Sequence, residues 1–485
     1  MGCMKRRCKA RKTSCPKAER ESAEVWAAST YAGAALPDAR LCERLVRIAA
    51  TLAARPMDSI PQAHKDWGQS KATYRFIENP RVKLEALIQP EADATARRCA
   101  GLEEIRVLVD LTTLSFLNAP ATEGLGPVGE EGSRGILLQS ALAVTCDGVA
   151  IGLLDLLLWC RDPEAIGSRR TCKKRTIEEK ESRRWLDAVR AVEAAIQRNL
   201  APHLRPKILF VFDREGDVHE AFQQCLAFGH SFVIRCQYNR RVVGEGEDQD
   251  PQVTYAHQAV RQAPLLTVRT IAVPRHKDQP ARKARVELRA LPVRLSPDPH
   301  RHPDRQPLNL NLVEAWEPHP PTGAEPLHWM LWTVEPATTV ADVVRILGIY
   351  QGRWHIEDYH KVLKSGCRVE QLQFETADRL KKMIALYAPI AARIPRLRDL
   401  ARKEPDAPCT AVLSEIEWKT LWTVIHHQRP LARASPPTLA QAALWIGRLG
   451  GHLNRKSDGM PGIKTLWLGW RDLLRMTPLY TILTG

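Results

Sequence analysis

Three features of the sequence predict an α/β protein, a mixed sheet flanked by helices and set between two helical units. Apolar residues recur at helical spacing before residue 100; short apolar runs then alternate with helical ones; helical periodicity returns near residue 339 and dominates to the end. The 485 residues exceed one compact core, because domains run about 100–200 residues. A hydrophobic content of 44% with 26% charged residues is a globular balance and excludes a disordered or fibrous chain. The most apolar segment, Ile151 to Cys160, carries Asp155 and falls short of the about 18 apolar residues of a membrane helix. Arg6-Arg7 has no apolar signal core after it, so we expect a cytoplasmic protein with no membrane partner.

In chain order, residues 1–20 form a basic tail, expected to be disordered, in which Cys3, Cys8 and Cys15 have no regular metal-ligand spacing. From Ser22 to about Ala100 the pattern is helical: Pro37-Asp38 caps a run with Leu41, Leu45, Ile48 and Leu52, and Asn79-Pro80 punctuates a later helix. The polar positions of this unit carry Arg40, Arg44, Arg47, Lys65, Lys71 and Arg75. At Ile105 the period changes, and Ile105 to Val109 reads as a buried strand ending at Asp110. Ile136 to Val144 and Val149 to Leu158 read as a hairpin closed by Asp147-Gly148. A helix over 176–199 follows, then an apolar strand from Lys207 to Phe212 that ends at Asp213, another helix, and a strand from Ser231 to Arg235. Residues 239–338 are rich in proline and charge and read as a β-rich insertion with strands at Leu266 to Val273, Val286 to Val293 and Trp329 to Val334. One helix is expected from Thr339 to Ser365, with looser linkers at 403–408 and 429–437.

The charge balance, 71 Lys and Arg against 55 Asp and Glu for a formal +16, points to a polyanionic partner, nucleic acid ahead of a membrane surface. The twelve cysteines contain no C-x-x-C pair, which speaks against a zinc ribbon and leaves reduced thiols. His300 and His302 lie in a proline-rich stretch and read as surface histidines, and Asp217, four residues beyond Asp213, falls in the next helix. The G-x-G-x-x-G at Gly124 to Gly129 holds Pro127 and reads as a polar loop.

On a regular helix Tyr350, Arg353, Glu357 and Lys364 fall within about 60° of one face. A solvated face with favourable ion-pair spacing would give the same pattern. Asp110 and Asp213 change that balance, because strand ends of open sheets present functional groups. With Glu357 they would make three carboxylates that repel one another unless a cation neutralises them, and oxygen-only donors suit Mg²⁺ or Mn²⁺. Two such ions about 4 Å apart suit phosphodiester displacement.

Asp110-Leu111-Thr112-Thr113, Asp213-Arg214-Glu215-Gly216-Asp217 and Tyr350-x2-Arg353-x3-Glu357-x6-Lys364 resemble the three acidic blocks of cut-and-paste bacterial DDE transposases with the YREK signature, of the insertion-sequence-four, composite-transposon type. The resemblance extends to Thr73 to Pro80 and to Leu444 to Leu474. It implies an RNase H-like catalytic core in two parts, 101–238 and 339–402, interrupted by the insertion 239–338, with a helical DNA-binding domain at 21–100 and a helical dimerisation domain at 403–485. It implies Asp110, Asp213 and Glu357 as catalytic ligands of two Mg²⁺ ions, with Mn²⁺ a possible substitute. Tyr350, Arg353, Lys364 and Arg235 would hold a phosphate. Trp354 would stack on a flipped base that Trp329 braces, and Arg40, Arg44 and Arg75 would face the DNA. The implied partners are double-stranded transposon ends, target DNA and a second copy of the chain, whose interface would use Leu444, Trp445, Ile446, Leu449, Leu466, Trp467, Leu468, Trp470, Leu473 and Leu474. The implied activity is end nicking, hairpin formation and opening, and strand transfer; the alternative is a non-catalytic DNA-binding derivative that keeps the fold.

Overall fold

The computed structural model describes residues 23–64, 66–129, 132–162, 176–244, 253–273, 280–297, 305–431, 433–455 and 458–484. The basic tail with its three cysteines, Lys65, His300 and His302 lie outside the described residues.

Five helices come first: α1 (Ala23–Tyr31), α2 (Ala39–Ala54), α3 (Ile60–His64), α4 (Trp67–Glu78) and α5 (Glu85–Arg98). Asp38 and Asp66 cap α2 and α4, each accepting from backbone N–H groups of the first turn and satisfying donors that the helix leaves open. The sheet begins with β1 (Glu104–Ser115), β2 (Gly126–Pro127), β3 (Arg134–Thr145) and β4 (Ala150–Trp159). Then come α6 (Arg183–Asn199), β5 (Lys207–Phe212), α7 (His219–Ala227) and β6 (Ser231–Arg235). The helix expected over 176–199 starts only at Arg183, because 176–182 are taken up by turns.

The segment 239–338 supplies β7 (Arg241–Gly244), β8 (Thr254–Tyr255), α8 (Ala256–Gln262), β9 (Leu265–Val273), β10 (Arg282–Leu295), β11 (Leu308–Trp316) and β12 (His328–Thr333). It is β-rich, as expected, but its strands do not form a separate sheet: β12 pairs antiparallel with β6, giving one path β2-β3-β1-β5-β6-β12-β11-β10-β7-β8. β1, β5 and β6 run parallel at its centre, and β3 is antiparallel to β1. One face packs beneath α6, α7 and α8 through Phe210, Phe212, Phe222 and Trp332. The other lies under α9 (Val340–Gln351), α10 (Trp354–Lys361) and α11 (Ala377–Lys403), in a core that runs on into Trp26, Tyr31 and Leu45 of the N-terminal helices. Lys382 of α11 fastens that junction: its ammonium donates to the carbonyls of Ile77 and Asn79 at 3.0 and 3.2 Å, capping the C-terminal end of α4.

The remaining helices, α12 (Glu415–His426), α13 (Leu439–Leu449) and α14 (Ile463–Thr484), enclose a third core with Leu397 and Leu400 of α11. Ile446, Leu466, Trp467 and Leu473, expected at a dimer interface, are instead buried within the chain's own fold. The exposed apolar side chains of α14 are Leu479, Ile482 and Leu483, at its far end.

At Gly450 and Gly469, α13 and α14 meet backbone to backbone. A Cβ on Gly469 would stand 1.7 Å from the Ile446 carbonyl oxygen, and one on Gly450 would stand 1.9 Å from that of Thr465. Gly469→Ala should therefore force the helices apart and lower stability by about 1–3 kcal/mol. Thermal unfolding measures it; an unchanged transition would mean that the crossing is looser than these contacts.

Candidate active site

Asp110 lies within β1 and not at its end, because β1 continues to Ser115 through its antiparallel pairing with β3. What stops beside Asp110 is β5: the parallel register runs to Val109 opposite Phe212, so the next residue along each chain is an aspartate. The sheet thus sets Asp110 and Asp213 side by side where β5 leaves it. Asp213 opens a short turn over 214–216 and accepts from the Glu215 N–H at 2.9 Å.

Glu357 arrives on α10. The single helix expected over 339–365 is in fact divided: α9 ends at Gln351, the chain tightens through Gly352 and Arg353, and α10 starts at Trp354. Past Lys361 the chain widens into a π turn, Val362–Gly366, in which the Cys367 N–H reaches the Val362 carbonyl at 2.8 Å. Such turns often mark functional sites. Lys364 sits inside it.

Despite the break, the predicted residues meet. Arg353 is mostly buried; its Nη1 donates to Asp110 Oδ1 at 3.4 Å and its Nη2 to Glu357. Burial alone would weaken its proton affinity, but Asp110, Tyr350, Glu357 and Asp213 outweigh that and raise its pKa. Burial, then the charge of Asp110, raises the Asp213 carboxyl. Burial raises Glu357 as well, against the pull of Arg353. Burial lowers Lys364, which faces Glu370 and Asp110. Arg235 donates to the His328 carbonyl at 3.0 Å and faces the Tyr350 phenol, which burial raises. Trp329 packs edge-on against Tyr350, with ring centroids 5.3 Å apart, while Trp354 is 47% exposed beside them in sequence.

Two neighbours were not read from the sequence. Glu215 is a fourth acid, its carboxyl raised by burial and by Asp213 and Asp110. His360 is buried with Nδ1 3.6 Å from Asp110 and Nε2 3.4 Å from Ser140 Oγ; burial lowers its pKa, against Asp110. A lone histidine carries no spacing signal that would have found it. Away from this cluster, Trp67, 72% exposed, precedes Lys71 and Arg75 at four-residue intervals along the exposed side of α4. Asp217, by contrast, is buried and holds the Gln237 and Tyr238 N–H groups and Arg240, away from the cluster. Of the arginines expected to face DNA, Arg75 is exposed, Arg40 pairs with Asp38 at 3.3 Å, and Arg44 donates to Gln69 at 3.0 Å, bridging α2 to α4.

Among the described residues no three acids, histidines or cysteines form a ready coordination sphere. Arg353 stands between Asp110 and Glu357 instead. The donors nevertheless fit a hard divalent cation: they are carboxylates only, three of them share one guanidinium, and burial disfavours the charged forms of Asp213 and Glu357.

Family models fall on this architecture in three blocks. Residues 23–82 match the model described as Transposase DNA-binding, residues 186–391 the Transposase DDE domain, and residues 389–477 the Transposase Tn5 dimerisation domain. The domain set is that of a Tn5-like transposase. Within it the DDE match holds Asp213, Glu357 and the insertion but begins after Asp110, which the sheet register brings to the site. A DDE domain implies use of a divalent metal. The transposase also has, among its described residues, no helix long and apolar enough to cross a membrane.

The raised Asp213 predicts a pH signature in metal-free protein. A carboxyl whose folded pKa exceeds its unfolded one destabilises the fold as pH rises through the unfolded value, and the cost is complete above the folded value. Asp213→Asn, which can still cap its turn, should therefore raise the unfolding temperature at about pH 7 and lose that advantage near pH 4. A lower unfolding temperature at neutral pH would show that the carboxylate is not strained.

Proposed function

We propose that this transposase catalyses cut-and-paste DNA transposition of the YREK, insertion-sequence-four kind, acting in the bacterial cytoplasm at the nucleoid. The observation that carries the reading is the meeting of Asp110, Asp213 and Glu357 around Arg353, under a wall of Arg235, Tyr350 and Lys364. Asp110, Asp213 and Glu357 would hold two divalent cations, Mg²⁺ or in substitution Mn²⁺. Bound there, such ions supply Lewis-acid charge stabilisation for in-line displacement at phosphorus. The chain's own part is positioning. Arg235, Tyr350, Arg353 and Lys364 hold the phosphate at the element end, and Arg353 exchanges its carboxylates for that phosphate. Water forms the new bond to phosphorus as the bond to the departing 3′ oxygen breaks; the freed 3′-hydroxyl then attacks the opposite strand to close a hairpin. Hydrolysis opens the hairpin, and the same hydroxyl attacks target DNA. Trp354, with its exposed ring, stacks on the base turned out at the hairpin, and Trp329 steadies that wall through Tyr350.

End recognition falls to the helical unit at 21–100 and pairing of two ends to the unit at 403–485. Of the residues named from the sequence, Ile446, Leu466, Trp467 and Leu473 are taken up by the chain's own core, while the partly exposed Leu444, Trp445, Leu449, Leu468, Trp470 and Leu474, with the exposed Leu479, Ile482 and Leu483, are available to a second copy.

Asp110→Asn, Asp213→Asn and Glu357→Gln should each abolish Mg²⁺-dependent nicking of a transposon-end duplex while leaving end affinity within about threefold, because phosphate contacts dominate DNA binding. Retained nicking removes that residue from the site, and intact end binding with no nicking or hairpin by the native protein identifies a non-catalytic derivative. Neutralising Arg40, Arg44 and Arg75 together should lower the slope of log affinity against log salt by about one unit for each phosphate that the protein no longer neutralises. An unchanged slope would mean that Arg40 and Arg44 serve only their pairing with Asp38 and Gln69 and that Arg75 meets no phosphate.

A further inference from the structure

Behind α10 lies a second set of buried charges. Arg398 and Asp399, on α11, are 4% and 6% exposed. Arg398 Nε donates to Asp399 Oδ1 at 2.9 Å, and its Nη1 donates to Asp358 of α10. The second oxygen of Asp399 lies 3.7 Å from His355 Nδ1, one turn earlier on α10. The far edge of that imidazole rests on the β3–β4 turn, where a Cβ on Gly148 would come within 2.7 Å of His355 Nε2.

A buried ion pair is a poor device for stability, since its desolvation offsets its attraction. What a guanidinium fork supplies is direction. α10 is eight residues long, follows the tightened turn at Gly352–Arg353 and runs into the π turn. Ile356 and Tyr359 bury its inner face, and Arg398 adds a directional grip through Asp358. Asp358 follows Glu357, about 100° around the helix, so a grip on Asp358 sets where Glu357 points.

We infer that Arg398 is a positioning residue for the reaction: held by Asp399, it fixes the rotation of α10 through Asp358 and so aims Glu357 at Asp110 and Asp213. The inference rests on the role proposed for Glu357. Arg398 lies in the stretch that matches the dimerisation domain, so the part of the chain that pairs two copies also orients a carboxylate of the site.

Asp358→Ala tests it, because Arg398 then keeps Asp399 and no buried charge is left alone. We expect nicking of an end duplex to fall about tenfold to a hundredfold, as a small misplacement of a reacting group does, with end affinity and the unfolding temperature essentially unchanged. The Mn²⁺ concentration that half-saturates the DNA-free protein, read by electron paramagnetic resonance, should rise. Asp358→Glu should restore most of both. Native nicking and Mn²⁺ titration in Asp358→Ala would overturn the inference, as would a loss of rate matched by a loss of folded protein. If the native protein nicks no end with either metal, the role proposed for Glu357 fails, and the Mn²⁺ titration alone decides whether Asp358 orients it.

Discussion

Three carboxylates crowded into one half-buried site, with Arg353 between two of them, govern this molecule. Asp110 and Asp213 are forced together by the register of two parallel strands, a backbone constraint that no side-chain rearrangement can relax. Glu357 adds a third carboxylate from a short helix, and Arg353 is the cation that meets two of them. Much else follows from holding that arrangement. β3 carries β1 past the point where β5 stops, Ser140 and His360 flank Asp110, and the break before α10 lets the helix turn its acid inward. Burial raises the Asp213 and Glu357 carboxyls, and perturbed carboxyls of this kind cluster where a fold is organised for binding.

The α/β class and most elements were legible in the sequence because each rests on a local period. Asp213 stands out because an apolar run of strand length ends there, and Tyr350, Arg353, Glu357 and Lys364 because helical spacing aligns them even across a break. The break itself was not legible: Gly352 has ordinary helical φ, and nothing in its neighbours marks the tightening. The sequence suggests a strand end at Asp110 because the apolar run stops at Val109, yet pairing with β3 extends the strand through Thr112 and Thr113. β11 escapes notice although Leu308, Leu310 and Leu312 alternate with Asn309 and Asn311, because proline-rich sequence surrounds it. Contacts such as Lys382 to Ile77, or Arg353 to Asp110, join residues hundreds of positions apart and leave no periodic trace.

The C-terminal unit matches a dimerisation domain, yet part of its apolar surface serves its own core. An apolar segment near a chain end invites a partner, but α13 and α14 cross at bare backbone through Gly450 and Gly469, and this closeness lets Ile446, Leu466 and Leu473 find cover within one chain. The region's aromatic rings follow suit, with Trp422, His426 and Trp445 in mutual contact.

α11 is the axle of the molecule. Its 27 residues touch the end of α4 through Lys382, the back of α10 through Arg398 and the C-terminal core through Leu397 and Leu400, with about 24 Å between the first two grips. Pro389 and Pro395 both fall between Lys382 and Arg398, and each removes a backbone hydrogen bond, from the carbonyls of Ala385 and Ala391. Between its two grips the shaft therefore relies on the buried side chains around Ile390 and Ile394, and not on an unbroken hydrogen-bond ladder, to hold its line.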